Sequence, residues 1–96
     1  MASTVDEITI NYKEDDVLIV KELDKEILSK GAWATILFRY QQLDRKTKEY
    51  GKELFTIRRY QKRGDSFNQK SKFNISSIDQ ANKIIATLQK WIGESK

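Results

Sequence analysis

The chain has 96 residues, 39% hydrophobic and 33% charged, which suits one globular domain and leaves no material for a second core. It contains neither cysteine nor histidine, so disulfides, thiol nucleophiles, imidazole bases and ordinary zinc sites are excluded together. No apolar run nears the ~18 residues of a membrane span, and the start, Met1 to Glu7, lacks the basic and apolar regions of a signal peptide. The expected location is intracellular, cytoplasmic or nucleoid-associated.

The net charge of +4 is unevenly spread: residues 1–30 carry 4 Lys and 8 acids, whereas residues 31–72 carry 11 Lys or Arg and 4 acids. An acidic first third followed by a basic middle suggests an anionic partner for one surface. A solvated charged surface is the plainer explanation of the same numbers.

In chain order, residues 5–12 alternate, with Ile8, Ile10 and Tyr12 on one face, and predict a half-buried strand. The acids Glu14, Asp15 and Asp16 interrupt it and read as a solvated turn, since adjacency alone would support a bound hard cation. A second strand is expected over 17–23; the stretch to Ser29 either continues it or coils, and strand is preferred. After a turn at Lys30-Gly31, residues 33–42 bring Trp, Thr, Ile, Phe and Tyr, types that suit a pleated surface. Phe38 and Tyr40 share a face with Ile36 and are assigned to the core. The polar stretch from Leu43 to Glu53 reads as a long hairpin tip around Gly51, and residues 54–62 as the next strand. A turn at Arg63-Gly64-Asp65 leads to a short strand at Lys72–Ile75. From Ile78, apolar residues at Ala81, Ile85, Leu88 and Ile92 keep helical spacing, with Ile84 and Trp91 widening the stripe. Ser76 or Ser77 can cap this helix, with Asp79 or Gln80 reciprocating, and Gly93 is expected to stop it. The stripe is wide for covering a small sheet. Either a second copy of the helix takes the surplus or a curved sheet absorbs it.

Basic and aromatic residues interleave along the third and fourth strands. Holding an unpaired strand of nucleic acid requires cations for phosphates and flat rings for bases on one surface. The candidate binding set is Arg39, Arg45, Lys46, Lys48, Arg58, Tyr60, Lys62, Arg63, Phe67, Lys70 and Lys72. Tyr60, between Arg58 and Lys62 on its own face, is the expected stacking ring. The competing possibility turns that face inward and leaves Phe55, Ile57 and Arg59 outside.

The segment Ile57-Arg58-Arg59-Tyr60, the turn through Phe67, the run from Lys70 to Ser76 and the helix from Ser77 together resemble the positive-cofactor-four family of transcriptional coactivators, which bind single-stranded DNA. The resemblance implies an α+β fold: a curved antiparallel sheet of about four to five strands, backed by one C-terminal amphipathic helix. It also implies dimerisation through the helices and nucleic acid along basic sheet surfaces, a layout shared by Whirly and Pur-type proteins. On that pattern residues 1–96 form a single domain, with a core over about 17–93 and an acidic strand or arm over 1–16. Ile84, Ile85, Leu88, Trp91 and Ile92 are the expected dimer contacts. The long connection from Leu43 to Glu53 and the strand before the core depart from the family pattern.

The function expected is therefore binding of single-stranded nucleic acid, DNA preferred, at low sequence specificity, in transcription or DNA maintenance. A non-catalytic protein-interaction module and an RNA-binding protein are the alternatives. No enzyme, cofactor or metal is expected: there is no His or Cys, the acids Glu14, Asp15 and Asp16 are merely adjacent, and the four glycines stand alone and form no phosphate loop.

Overall fold

The computed structural model describes residues 4–94. After a 3-10 turn at Val5–Glu7 come strands β1 (Tyr12–Glu14), β2 (Val17–Ser29), β3 (Trp33–Asp44), β4 (Glu49–Tyr50), β5 (Leu54–Arg63) and β6 (Ser66–Ile75), then helix α1 (Ile78–Glu94). The strands make one curled antiparallel sheet in the order β1-β2-β3-β5-β6, with β4 paired to β3. This is the expected α+β class. The sheet is larger than expected because the Leu43–Glu53 connection contributes β4, and β6 begins at Ser66 rather than near Lys72.

Local chemistry sets the turns. Asp15 and Asp16 have φ of 52° and 66°, the two positive values that a tight two-residue hairpin of the right twist demands. Gly64, at φ 61°, sits where the β5–β6 hairpin needs a residue without a Cβ. The Arg63-Gly64-Asp65 tripeptide is thus a plain turn. At the β3–β4 tip the Asp44 carboxylate accepts the Lys46 N–H at 2.8 Å, and Lys48 returns the chain with φ 62°.

Register divides the sheet into two faces. On the inner face Ala34, Ile36, Phe38 and Tyr40 of β3 lie opposite Tyr60, Arg58, Thr56 and Leu54 of β5. All four β3 residues are buried, as are Tyr60, Thr56 and Phe67. The outer face carries Trp33, Thr35, Leu37 and Arg39 opposite Gln61, Arg59, Ile57 and Phe55.

The inner face is covered by the N-terminal segment, not by the helix. Ile8 and Ile10, 3% and 6% exposed, join the core cluster of Ile36, Phe38 and Tyr40. The alternation over 5–12 therefore points the right residues inward, yet only Tyr12 of that stretch enters a strand. Side chains replace the missing ladder. Lys25 Nζ donates to the carbonyls of Asp6 and Ile8 at 2.6 and 2.7 Å, and the Glu22 carboxylate accepts from Thr9 Oγ1 and the Ile10 N–H at 2.7 and 3.2 Å. Tyr12, expected inside with them, is 55% exposed.

Helix α1 starts where the caps predict: Ser77 Oγ accepts the Gln80 N–H at 3.1 Å, while the Gln80 side chain accepts the Ser76 N–H at 2.7 Å. It does not back the sheet. None of its described residues is buried, because Ile8 and Ile10 already occupy the apolar inner face. The helix runs on through Gly93 to Glu94, so that glycine is not its stop. The molecule measures 51 × 39 × 17 Å, too thin for a further layer across the outer face, since packed layers add about 10 Å each. No described helix is long and apolar enough to cross a membrane.

Candidate nucleic-acid interface

Strands β5 and β6 form the basic part of the sheet. Residues 54–75 hold Arg58, Arg59, Lys62, Arg63, Lys70 and Lys72 against the single acid Asp65. Pairing brings several of them together. Arg58 lies opposite Lys72, and a bulge between Arg59 and Tyr60 leaves Lys70 unpaired on β6. Since β6 ends the sheet order, Lys70 and Lys72 border an open edge and their phosphate-neutralising charge is accessible to a chain laid along it, whereas Arg58 stands one strand further in.

The rings divide differently from expectation. Tyr60 is 6% and Phe67 8% exposed, both on the inner side, so neither presents a face for stacking. This corrects the expectation that Tyr60 is the stacking ring and that Phe67 belongs to the binding surface: the competing orientation of β5, with Tyr60 inward and Phe55, Ile57 and Arg59 outward, is the one adopted. Burial raises the Tyr60 phenol above its ordinary range, with the neighbouring Arg58 guanidinium opposing the shift. Arg58 is itself half-buried: its Nη1 donates to Gln69 Oε1 at 3.1 Å, and its Nε is enclosed without a hydrogen-bond partner among the described residues. It is as much part of the core wall as of the surface. Lys62 Nζ lies over the Phe67 ring, 5.9 Å from the centroid, and Arg63 sits exposed beside the β5–β6 turn.

Exposed rings are instead on the outer face. Trp33 is 41% and Phe73 51% exposed. Register puts Trp33 at Gln61, next to Arg59 at Thr35, and Phe73 opposite Ile57. The Arg59 guanidinium lies over the Trp33 ring, 4.6 Å from its centroid, within the range of a cation–π contact. Neither residue is in the candidate binding set, although the competing orientation of β5 leaves Arg59 outside. The signal was in the phase of the alternation: Trp33 is in step with Arg39, and Arg59 with Phe55 and Ile57. What the pattern lacked was which phase faces the core.

The other expected residues fall elsewhere. Arg39 stands midway along β3 on the outer face, paired with Glu53 at 3.4 Å and Asp24 at 3.9 Å. Arg45, Lys46 and Lys48 belong to the β3–β4 tip, where Arg45 pairs with Glu14 at 2.8 Å. The structure brings Arg58, Lys62, Lys70 and Lys72 together on one hairpin and leaves the tip cations at the other end of β3. Among the described residues no cluster of acidic side chains is arranged to hold a metal ion. No family model, curated protein or solved structure matches the chain.

Proposed function

We propose that the protein binds single-stranded nucleic acid, DNA in preference to RNA, with low sequence specificity, as an intracellular cofactor in transcription or DNA maintenance. The observation that carries this reading is the exposed Trp33–Arg59 stack beside a hairpin with six cations and one acid. Stacking accepts any base because every base has a π-face, whereas a duplex hides its faces. Phosphates follow the open β6 edge along Lys70 and Lys72, and bases meet Trp33 and Phe73 on the outer side. The resemblance to the positive-cofactor-four family supports the same reading. Fluorescence anisotropy with single-stranded DNA, single-stranded RNA and duplex of one length tests it: single strands should bind more tightly, with a steep salt dependence. Equal affinity for duplex would leave only general electrostatic attraction.

The protein acts as a homodimer joined through α1 in this reading. Ile85, Leu88 and Ile92 are each about half exposed on that helix (52%, 49% and 57%) together with Trp91 at 59%, an apolar area that a two-fold contact between identical helices would bury. The same helix favours a second reading, a protein-interaction module, which predicts a monomer without affinity for oligonucleotides.

A further inference from the structure

The outer face of β3 leads from the Trp33–Arg59 stack to a second station that resembles it in chemistry. At the far end of the strand an open groove of about 390 Å³ is floored by Val17, Ile19, Leu43 and Tyr50, with Arg45 and Lys48 in its wall. Lys21 lies over the Tyr50 ring, 5.2 Å from the centroid, as Arg59 does over Trp33. Leu43 is in phase with Trp33 and pairs with Tyr50, so both stations open on one face. Ten residues of strand at ~3.3 Å each separate them by about 33 Å, and Arg39 stands between.

We propose that this groove receives one unpaired nucleotide at the distal end of the strand whose near end is held by Trp33 and Arg59. The inference rests on the single-strand reading above and adds a second binding site to it. An apolar floor with one ring suits a planar base. The groove wall offers a phosphate two cations, Arg45 and Lys48, and Lys46 and Lys52 stand beside them in sequence with Glu49 as the one acid of residues 45–52. Glu14 and Asp15 also line the groove, and Glu14 holds Arg45 at 2.8 Å with both side chains substantially exposed, 44% and 65%. An exposed pair of this kind is weakly held, so a phosphate can take the place of the carboxylate on Arg45. The Tyr50 hydroxyl donates to the Leu18 carbonyl at 2.6 Å, which fixes the ring in the groove floor.

Two stations on one strand make affinity depend on length, because the second contact forms at the high effective concentration set by the first. At ~3.4 Å per stacked nucleotide the span needs about ten nucleotides. The test measures binding of oligo-dT of roughly 5 and roughly 15 nucleotides, by anisotropy at low salt, to the wild type, Tyr50→Ala, Tyr50→Phe and the double variant Arg45→Ala, Lys48→Asn; asparagine tolerates the positive φ at that position. Tyr50→Ala and the double variant should weaken the long oligonucleotide about tenfold and leave the short one unchanged, and Tyr50→Phe should match the wild type at both lengths. Equal losses at both lengths, or none, overturn the second station while the single-strand reading stands. A loss in Tyr50→Phe as large as in Tyr50→Ala assigns the effect to the anchoring hydroxyl and overturns base stacking there. Failure of the wild type to bind either length overturns both readings.

Discussion

Arg59 and Tyr60 are neighbours in sequence and occupy opposite sides of the sheet. Their substitutions should therefore fail in different assays. Tyr60→Ala removes a buried ring from the inner core and should cost about 3 kcal/mol of stability, read as a lower melting temperature. Arg59→Ala should leave the melting temperature nearly unchanged and reduce the salt slope of oligonucleotide binding by about one phosphate contact. Trp33→Ala should weaken binding by ~1–3 kcal/mol at an almost unaltered slope. If Tyr60→Ala instead melts like the wild type and loses affinity, the two faces have been assigned the wrong way round. The Tyr60 phenol adds a pH signature. Burial raises its pKa in the folded state, so the fold favours the neutral form. That contribution is fully present below the unfolded value of ~10 and is lost as pH rises from there through the folded pKa. Melting temperature should fall above about pH 10, and Tyr60→Phe should make the fall shallower.

At the scale of elements, the competition for the inner face decides what α1 is free to do. Lys25 and Glu22 hold residues 6–10 against that face through side-chain hydrogen bonds, and Ile8 and Ile10 supply the apolar cover. The helix is left capped by Ser77 but exposed along Ile85, Leu88 and Ile92. Sedimentation should show a dimer at roughly 10⁻⁵ M, a concentration where contacts of micromolar strength are populated. Trp91→Glu, which places a charge in the proposed contact, should shift it towards monomer without unfolding the sheet. A wild type that sediments as a monomer at that concentration would remove the helix contact from the proposal.

Across the whole molecule, the acidic first third and the basic middle meet at the β1–β2 and β3–β4 tips, where Glu14 pairs with Arg45. Glu14, Asp15 and Asp16 then repel phosphates within a Debye length of ~8 Å at physiological salt. Replacing them with Gln, Asn and Asn keeps residues that tolerate the positive φ of the turn. Affinity for single strands should rise at low salt and change little at high salt. An unchanged low-salt affinity would mean that the three acids only balance the fold's own charge.

Where a residue's partners are near in sequence, the sequence was enough. The helix start follows from its periodicity and Ser77 cap, the tight turns from Asp15-Asp16 and Gly64, and the β3 core from strict alternation through Ile36, Phe38 and Tyr40. The basic character of β5 and β6 is composition alone. Which face of that hairpin is outside was not legible, because alternation in β5 gives two mixed faces: Phe55 and Ile57 with Arg59, or Tyr60 with Arg58 and Lys62. Only pairing to β3 settles it, since Tyr60 lies opposite the fully buried Ala34 and Arg59 opposite Thr35. The cover of the inner face was hidden for the same reason. A helix with a wide apolar stripe and a short segment with two isoleucines both fit a sheet, and the choice depends on Lys25 and Glu22, whose partners lie 12 to 19 residues away. Local periodicity fixes which side chains share a face, but long-range pairing decides which face is buried and what lies on it.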